Sequence, residues 1–435
     1  MKSIFNIAYS SDKYQYTMGK TFCDVKSDQK LAVFNLFYRK APDNNNWAVV
    51  SGIDESLDMI SKLGCAPTDF FEKFLPGDIY KDYRETLSNL KFTGDVYSMR
   101  EGEIAFPKQP IITIVAPLLE AQLLETPLLS IMNHQMVVAT KASRVTRATK
   151  KPVSEFGSRR AHGPWAATFG AKAAYIGGCS GTSNIMTSYL FNIDPAGTMA
   201  HSFINSFGCS IESEYRAFDS YIKSHLGEPL ILLIDTYDTL RCGIKNAIKA
   251  FKNNNITNDY PKGFGIRLDS GDLTYLSKKC REILDNNNLS NCKIFATNSL
   301  DEYIITELER QNAAIDAYGV GDAIATSKHN PCFGNVYKLV EIDNQPVLKR
   351  SEDITKLINP GFQTTYRIIQ DGIFSADITT LQNDSIAKKI ESLSQVITQD
   401  EFDFTKQTIF KEKSYTYKKL QNKVIEKGTI IAKKG

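Results

Sequence analysis

The sequence predicts an α/β fold built on parallel strands, and three observations carry that prediction. Residues 230–234, 264–268, 293–296 and 314–318 are short apolar runs spaced roughly 25–35 residues apart, as βα crossovers require, and 173–176 is another upstream. Each run leads into Gly, Ser, Thr, Asp or Asn. Between them apolar residues recur at helical spacing, with Leu240, Ile244, Ile248 and Phe251 in one stretch and Leu273, Leu276, Ile283 and Leu284 in another. In sheets and barrels of this kind ligands gather at the carboxyl ends of the strands, where the polar clusters of this chain fall.

Taken in order, residues 31–38 (LAVFNLFY) are rich in β-formers and read as a strand, closed by a turn at Arg39-Lys40-Ala41-Pro42 and Asn44-Asn45-Asn46. Ile53, Leu57, Ile60 and Leu63 predict a helix, and 118–124 begins another. Ser299-Leu300-Asp301-Glu302 offers a capping box for a helix further on. After about residue 350 the chain turns Lys-, Gln- and Thr-rich and loses the strand–helix rhythm, and KSYTYKK at 413–419 alternates like a half-exposed strand. The expected domains are 1–135, an amino-terminal α/β domain; 136–345, the parallel α/β domain; and 346–435, a β-rich segment associated with the first.

Composition narrows the function classes. With 435 residues, 42% hydrophobic and 23% charged, the chain is an ordinary globular one. A formal charge of +3 from 52 basic and 49 acidic residues gives no global reason to bind nucleic acid or membrane, so any anion binding is local. The amino terminus lacks the apolar core of a signal peptide, no segment has the roughly 20 apolar residues of a membrane helix, and a cytoplasmic location is expected. Eight cysteines at 23, 65, 179, 209, 242, 280, 292 and 332 form no metal-like spacing and read as reduced thiols. Neither do His134, His162, His225 and His329.

Two polar clusters stand out, Phe156-Gly157-Ser158-Arg159-Arg160-Ala161-His162-Gly163 and Gly197-Thr198-Met199-Ala200-His201-Ser202-Phe203. Paired arginines beside glycines present forked donors that a ligand can approach closely, and Phe156 adds an aromatic face for a planar anion. His201 stands among small residues beside a hydroxyl, and Asp235, at a strand end, is placed to orient its ring. Arg267-Leu268-Asp269-Ser270-Gly271-Asp272 gathers an arginine and two acids round a glycine after a strand, a set suited to phosphate, ribose hydroxyls or Mg²⁺. Thr182-Ser183-Asn184 is either a helix cap or a set of ligand contacts. Gly319-Val320-Gly321 can present backbone N–H groups to a phosphate. Asn298-Ser299 either adds polar contacts or caps the next helix.

Together, from Tyr14 to about Leu339, these motifs resemble those of the nicotinate phosphoribosyltransferases. The resemblance implies an irregular parallel α/β barrel beside an α/β amino-terminal domain, with a small carboxy-terminal segment packing on it, and a homodimer with a shared active site. It implies transfer of the 5-phosphoribosyl group from phosphoribosyl pyrophosphate to nicotinate, with Mg²⁺ as cofactor and ATP as co-substrate. His201 would carry the phosphoryl group as phosphohistidine, oriented by Asp235. Tyr14 and Phe156 would stack on the pyridine ring, Arg159 would face its carboxylate, and Thr182 and Ser183 would complete that pocket. Arg267, Asp269, Gly319 and Gly321 would hold the phosphoribosyl part, Arg39 would reach a phosphate across a dimer, and Asp269 and Asp272 would hold Mg²⁺. Related nicotinamide enzymes carry aspartate where this chain has Ser183, which favours nicotinate. The rival readings are that nicotinamide enzyme, a silent phosphosugar-binding regulator on the same fold, and an unrelated phosphosugar isomerase.

Overall fold

A computed structural model of the chain describes residues 10–41, 46–64, 68–349, 358–400, 403 and 405–432. Residues 1–9, residues 42–45 of the predicted turn and Cys65 lie outside them. The chain forms two compact units, Met1–Val137 with Cys332–Gly435, and Val138–Pro331.

The first unit is organised by a seven-stranded antiparallel sheet. In spatial order its strands are Gln345–Pro346, Asn335–Ile342, Leu31–Tyr38, Ile112–Pro117, Asp95–Ser98, Asn422–Glu426 and Thr429–Ile430. Leu31–Tyr38 falls where its β-formers predict, and every residue but Leu31 is buried because the strand is paired on both sides. Its one polar residue, Asn35, is satisfied by the Thr113 hydroxyl at 2.8 Å. Asn335–Ile342 lies within the expected parallel domain by sequence position, yet it pairs with Leu31–Tyr38, so this unit resumes at Cys332.

A second sheet of this unit, Ile373–Leu381, Gln363–Gln370 and Thr416–Lys419, includes the predicted KSYTYKK strand. Its centre is an ion network. Arg367, 1% exposed, donates to Asp377 Oδ1 and Oδ2 at 2.8 and 2.7 Å, to Glu103 Oε1 at 2.7 Å and to the Ile104 carbonyl at 2.6 Å. Lys418 also pairs with Glu103.

The second unit carries the predicted α/β rhythm. Its sheet has six strands, all parallel, in the order Gly181–Thr182, Val153–Glu155, Ala317–Val320, Lys293–Ala296, Phe264–Leu268 and Leu230–Leu233, curled as a half barrel. Its hydrophobic core is made of strand residues such as Leu232, Ile266 and Ile294 and helix residues such as Phe218, Ile248 and Leu284.

Two local expectations are corrected. Residues 173–176 are the last turn of a helix, Pro164–Ile176, not a strand. Pro164 suits the first helical position and the alanines that follow favour helix over strand, so an apolar run of small residues misleads there. The strand that leads into Ser183 is Gly181–Thr182. The cap of Glu302–Arg310 is Asp301, whose Oδ1 accepts from the N–H of Tyr303 and Ile304 at 3.1 and 2.9 Å, whereas Asn298 and Ser299 both take positive φ upstream.

Candidate active site

The carboxyl ends of three neighbouring strands, Leu230–Leu233, Phe264–Leu268 and Lys293–Ala296, are laced together by polar side chains. Asp235, its side chain 1% exposed, accepts from the Asp269 N–H at 2.9 Å and from the Ser270 hydroxyl at 2.6 Å, both through Oδ2. Thr297 donates its hydroxyl to Asp269 Oδ1 and its N–H to the Leu268 carbonyl at 2.9 Å. The turn after Leu268 is therefore held from both sides, which leaves Asp269 Oδ2 and Asp235 Oδ1 as the free acceptors. The latter is buried without a hydrogen-bond partner.

His201 opens the short helix His201–Asn205, which Ile204 and Phe203 hold against the core. The Tyr237 hydroxyl donates to the Gly208 carbonyl at 2.8 Å and so ties the segment after that helix to the loop that carries Asp235. The imidazole, 41% exposed, lies between these elements. Its Nε2 is 3.8 Å from Asp235 Oδ1 and 3.7 Å from Asp269 Oδ2, and its Nδ1 is 3.0 Å from Thr236 Oγ1. Asp235 thus stands at ion-pair distance from the ring, and the hydrogen bond to it is made by the Thr236 hydroxyl. Two carboxylate oxygens facing Nε2 favour a proton there, so the lone pair resides on Nδ1 and the Thr236 hydroxyl donates to it.

Arg267 completes the group. Burial lowers the pKa of its guanidinium below the usual arginine value, the charges of Asp269 and Asp235 oppose that, and the charge of Arg159 adds to it. Its guanidinium makes a long hydrogen bond, 3.4 Å to Thr198 Oγ1, and its buried Nε has no partner among the described residues. A desolvated cation so poorly satisfied is a receptor for an anion.

A second cluster surrounds Phe156. The backbone N–H of Phe156 donates to the Val320 carbonyl at 2.8 Å, and its ring lies over Gly319, where a Cβ would come within 2.6 Å of Phe156 Cδ2 and 2.8 Å of Thr297 Cγ2. Gly319 is therefore inside a strand, where its missing side chain makes room for the ring, and Gly321 lies just past the strand end. Arg159 is exposed on the Ser158–Arg160 turn. Thr182 is buried and its hydroxyl donates to Glu155 Oε2 at 2.7 Å, so that hydroxyl is already engaged. Ser183 is exposed beside it, and Asn184 is the actual cap of Ile185–Phe191, accepting from Thr187 N–H at 2.9 Å.

The remaining assignments divide. Asp272 is turned to structure, capping Leu273–Asn286 through the Tyr275 N–H at 3.0 Å. Among the described residues no group of three or more His, Cys, Asp or Glu side chains is arranged to hold a metal ion. Tyr14 and Arg39 belong to the first unit, where Tyr14 is 48% exposed on Lys13–Asp24 and Arg39 has a buried Nε without a partner. The sequence reading missed Glu155, Thr198, Thr236 and Thr297. Thr198 lies within the 197–203 cluster and Thr236 beside Asp235, but a neutral hydroxyl carries no spacing signal of its own.

An imidazole facing two carboxylate oxygens and a poorly paired buried arginine, gathered at the ends of adjacent parallel strands, form a site of the kind α/β enzymes carry. Residues 10–133 match the nicotinate phosphoribosyltransferase (NAPRTase) N-terminal domain, and residues 152–378 match the nicotinate phosphoribosyltransferase (NAPRTase) family. Nicotinate phosphoribosyltransferase of Bacillus subtilis (strain 168) is 40% identical over 371 residues, covering 84% of this chain and 74% of that protein. Among solved structures, human nicotinic acid phosphoribosyltransferase superposes with a TM-score of 0.78 at 23% identity, over 97% of this chain and 90% of that one. Nicotinate-nucleotide pyrophosphorylase from Pyrococcus furiosus gives a TM-score of 0.75 at 24% identity, over 100% and 92%; at such identities both bear on the fold alone. The chain belongs to the nicotinate phosphoribosyltransferase family. Among the described residues no helix is long and apolar enough to cross a membrane.

Proposed function

We propose that the chain transfers the 5-phosphoribosyl group from phosphoribosyl pyrophosphate to nicotinate, giving nicotinate mononucleotide and pyrophosphate in NAD salvage, and that ATP drives the reaction through a phosphohistidine at His201. The observation that carries the proposal is the grouping of His201, Asp235, Asp269 and Arg267 at neighbouring strand ends. In the ATP half-reaction a bond forms between His201 Nδ1 and the γ-phosphorus while the bond to the ADP oxygen breaks; water later cleaves the phosphohistidine. In the transfer itself the nicotinate ring nitrogen attacks C1 of the ribose as the C1–O bond to pyrophosphate breaks, with inversion. No strong general base is needed, because that nitrogen is a nucleophile at neutral pH. The work of the site is positioning and charge stabilisation.

Mg²⁺ fits this donor set, since it binds through one or two carboxylates plus substrate phosphate oxygens, and Asp235 Oδ1 and Asp269 Oδ2 are the oxygens that converge. It would neutralise charge on the departing pyrophosphate. The contacts that the resemblance assigns to Tyr14, Phe156, Arg159, Ser183 and Arg39 are part of the proposal, as are a homodimer and a cytoplasmic location.

Incubating the purified protein with phosphoribosyl pyrophosphate, Mg²⁺ and either nicotinate or nicotinamide, with and without ATP, is expected to yield nicotinate mononucleotide, faster with ATP. Absence of product, or a preference for nicotinamide, sinks the proposal.

Two substitutions refine it. Arg267→Ala removes a charge-assisted phosphate contact, so the KM for phosphoribosyl pyrophosphate is expected to rise by about 10- to 100-fold, well beyond any rise for nicotinate. Ser183→Asp sets a negative charge against the nicotinate carboxylate and offers an acceptor to an amide, so the ratio of kcat/KM for nicotinate to that for nicotinamide is expected to fall by about tenfold or more. An unchanged ratio removes Ser183 from base selection.

A further inference from the structure

Glu155 ends the Val153–Glu155 strand with only 3% of its surface exposed, and it touches both segments that flank the base pocket proposed above. Its Oε1 accepts from the Gly157 N–H, and its Oε2 accepts from the Thr182 hydroxyl at 2.7 Å. Its main-chain carbonyl accepts the Ser183 N–H at 2.9 Å. A second bridge joins the same segments, Asn184 Nδ2 donating to Ser158 Oγ at 3.0 Å. The approach is close enough to exclude a side chain at 157, where a Cβ would lie 2.8 Å from Glu155 Oε1 and 2.6 Å from the Gly321 carbonyl oxygen. Burying a carboxylate this deeply is costly, and an apolar residue would fill the space without that cost. What an apolar residue lacks is two acceptors that fix two segments at once.

We propose that Glu155 is a positioning residue that sets the separation between Phe156 with Arg159 on one side and Ser183 on the other, and so sets the discrimination between nicotinate and its uncharged amide. Glu155 touches neither substrate. It acts by holding Gly157 at the root of the Phe156–Arg159 loop and Thr182 at the root of Ser183. The proposal rests on the nicotinate reading of this pocket.

The test compares wild type with Glu155→Gln, Thr182→Val and Thr182→Ser, measuring kcat and KM for nicotinate, nicotinamide and phosphoribosyl pyrophosphate together with the melting temperature. Gln keeps the shape of Glu but turns one acceptor into a donor, whereas valine removes the Thr182 hydroxyl and serine restores it. Glu155→Gln and Thr182→Val are expected to raise the nicotinate KM, and lower the nicotinate-to-nicotinamide ratio, by about tenfold each, the scale of one buried hydrogen bond to a charged group. The KM for phosphoribosyl pyrophosphate stays within about twofold, and Thr182→Ser recovers the selectivity lost in Thr182→Val, because the donor that Glu155 accepts from is kept. If Glu155→Gln fails to fold, the Thr182 pair reads the same link.

Unaltered base KM values in the folded variants overturn the proposal. So does a joint rise of base and sugar KM with a fallen melting temperature, which is what a merely structural role predicts. A wild type that makes no nicotinate mononucleotide overturns the parent reading and this one with it; a wild type that does, beside variants of unchanged selectivity, overturns this one alone.

Discussion

His201→Ala is expected to abolish labelling of the protein by ATP carrying a labelled γ-phosphate and to lower ATP hydrolysis by about three orders of magnitude or more, the scale on which loss of an enzyme nucleophile acts. Phosphoribosyl transfer without ATP is expected to survive at a slow rate. Arg267, Asp269 and the segment around Phe156 keep their places when the imidazole is removed, because Thr297 and Asp235 hold the turn that carries Asp269. The fold is expected to tolerate the change, since the His201 side chain is 41% exposed and makes a single hydrogen bond, to Thr236. The measurement is acid-labile, base-stable label per protomer in wild type and mutant. Undiminished label in the mutant removes His201 from the mechanism, whatever the transfer rate.

The largest stability effect is expected in the first unit. Arg367→Ala takes the cation from between Glu103 and Asp377, leaving the buried Asp377 without its ion-pair partner and Glu103 with Lys418 alone, a loss of about 3–5 kcal/mol by the behaviour of broken buried pairs. For a unit of this size that is a fall of about 10 °C in melting temperature, at about 2–4 °C per kcal/mol. Lys418 cannot make good the loss, because it pairs with Glu103 through the other carboxylate oxygen and so leaves Asp377 without its cation. Combining Arg367→Ala with Asp377→Asn and Glu103→Gln is expected to recover part of the deficit, since the penalty lies in the unpaired charges more than in the missing contact. Calorimetric melts of the single and triple variants check this. A single variant within about 2 °C of wild type shows that the network contributes little.

Much of the second unit was legible. Runs such as Phe264–Leu268 are bounded by polar turn residues and followed by apolar positions at helical spacing, and a short strand between turns has few other ways to bury its side chains. The density of Arg267, Asp269 and Asp272 in one turn was equally visible, because opposite charges crowded after a strand are rare without a ligand or a cap to serve. Asp272 proved to be a cap and Arg267 the poorly paired cation, and nothing in the sequence separates those two fates. The misread helix at 173–176 failed for a local reason: Tyr175 and Ile176 are β-formers, and the alanines upstream give no polar face to mark a helix period.

The residue chemistry near His201 shows the same division. That a histidine among small residues should stand near the Asp235 and Asp269 acids followed from the order of motifs along the chain. Which of them bonds to it did not follow, since a carboxylate at 3.8 Å and a hydroxyl at 3.0 Å from the ring differ by less than the length of a bond, and hydrogen bonds are decided at that scale. Gly319 is a parallel case, in which a glycine that looks like a phosphate nest is needed because the Phe156 ring folds back over it.

By itself, then, the sequence determined the element types, the α/β class and the inventory of charged and aromatic groups at strand ends, because these depend on neighbours within one or two turns of chain. The tertiary structure alone decided the pairings. Parallel strands joined by crossovers place Glu155 beside both Thr182 and Val320, one 27 and the other 165 positions along, so that a single buried carboxylate can hold segments that no local pattern connects.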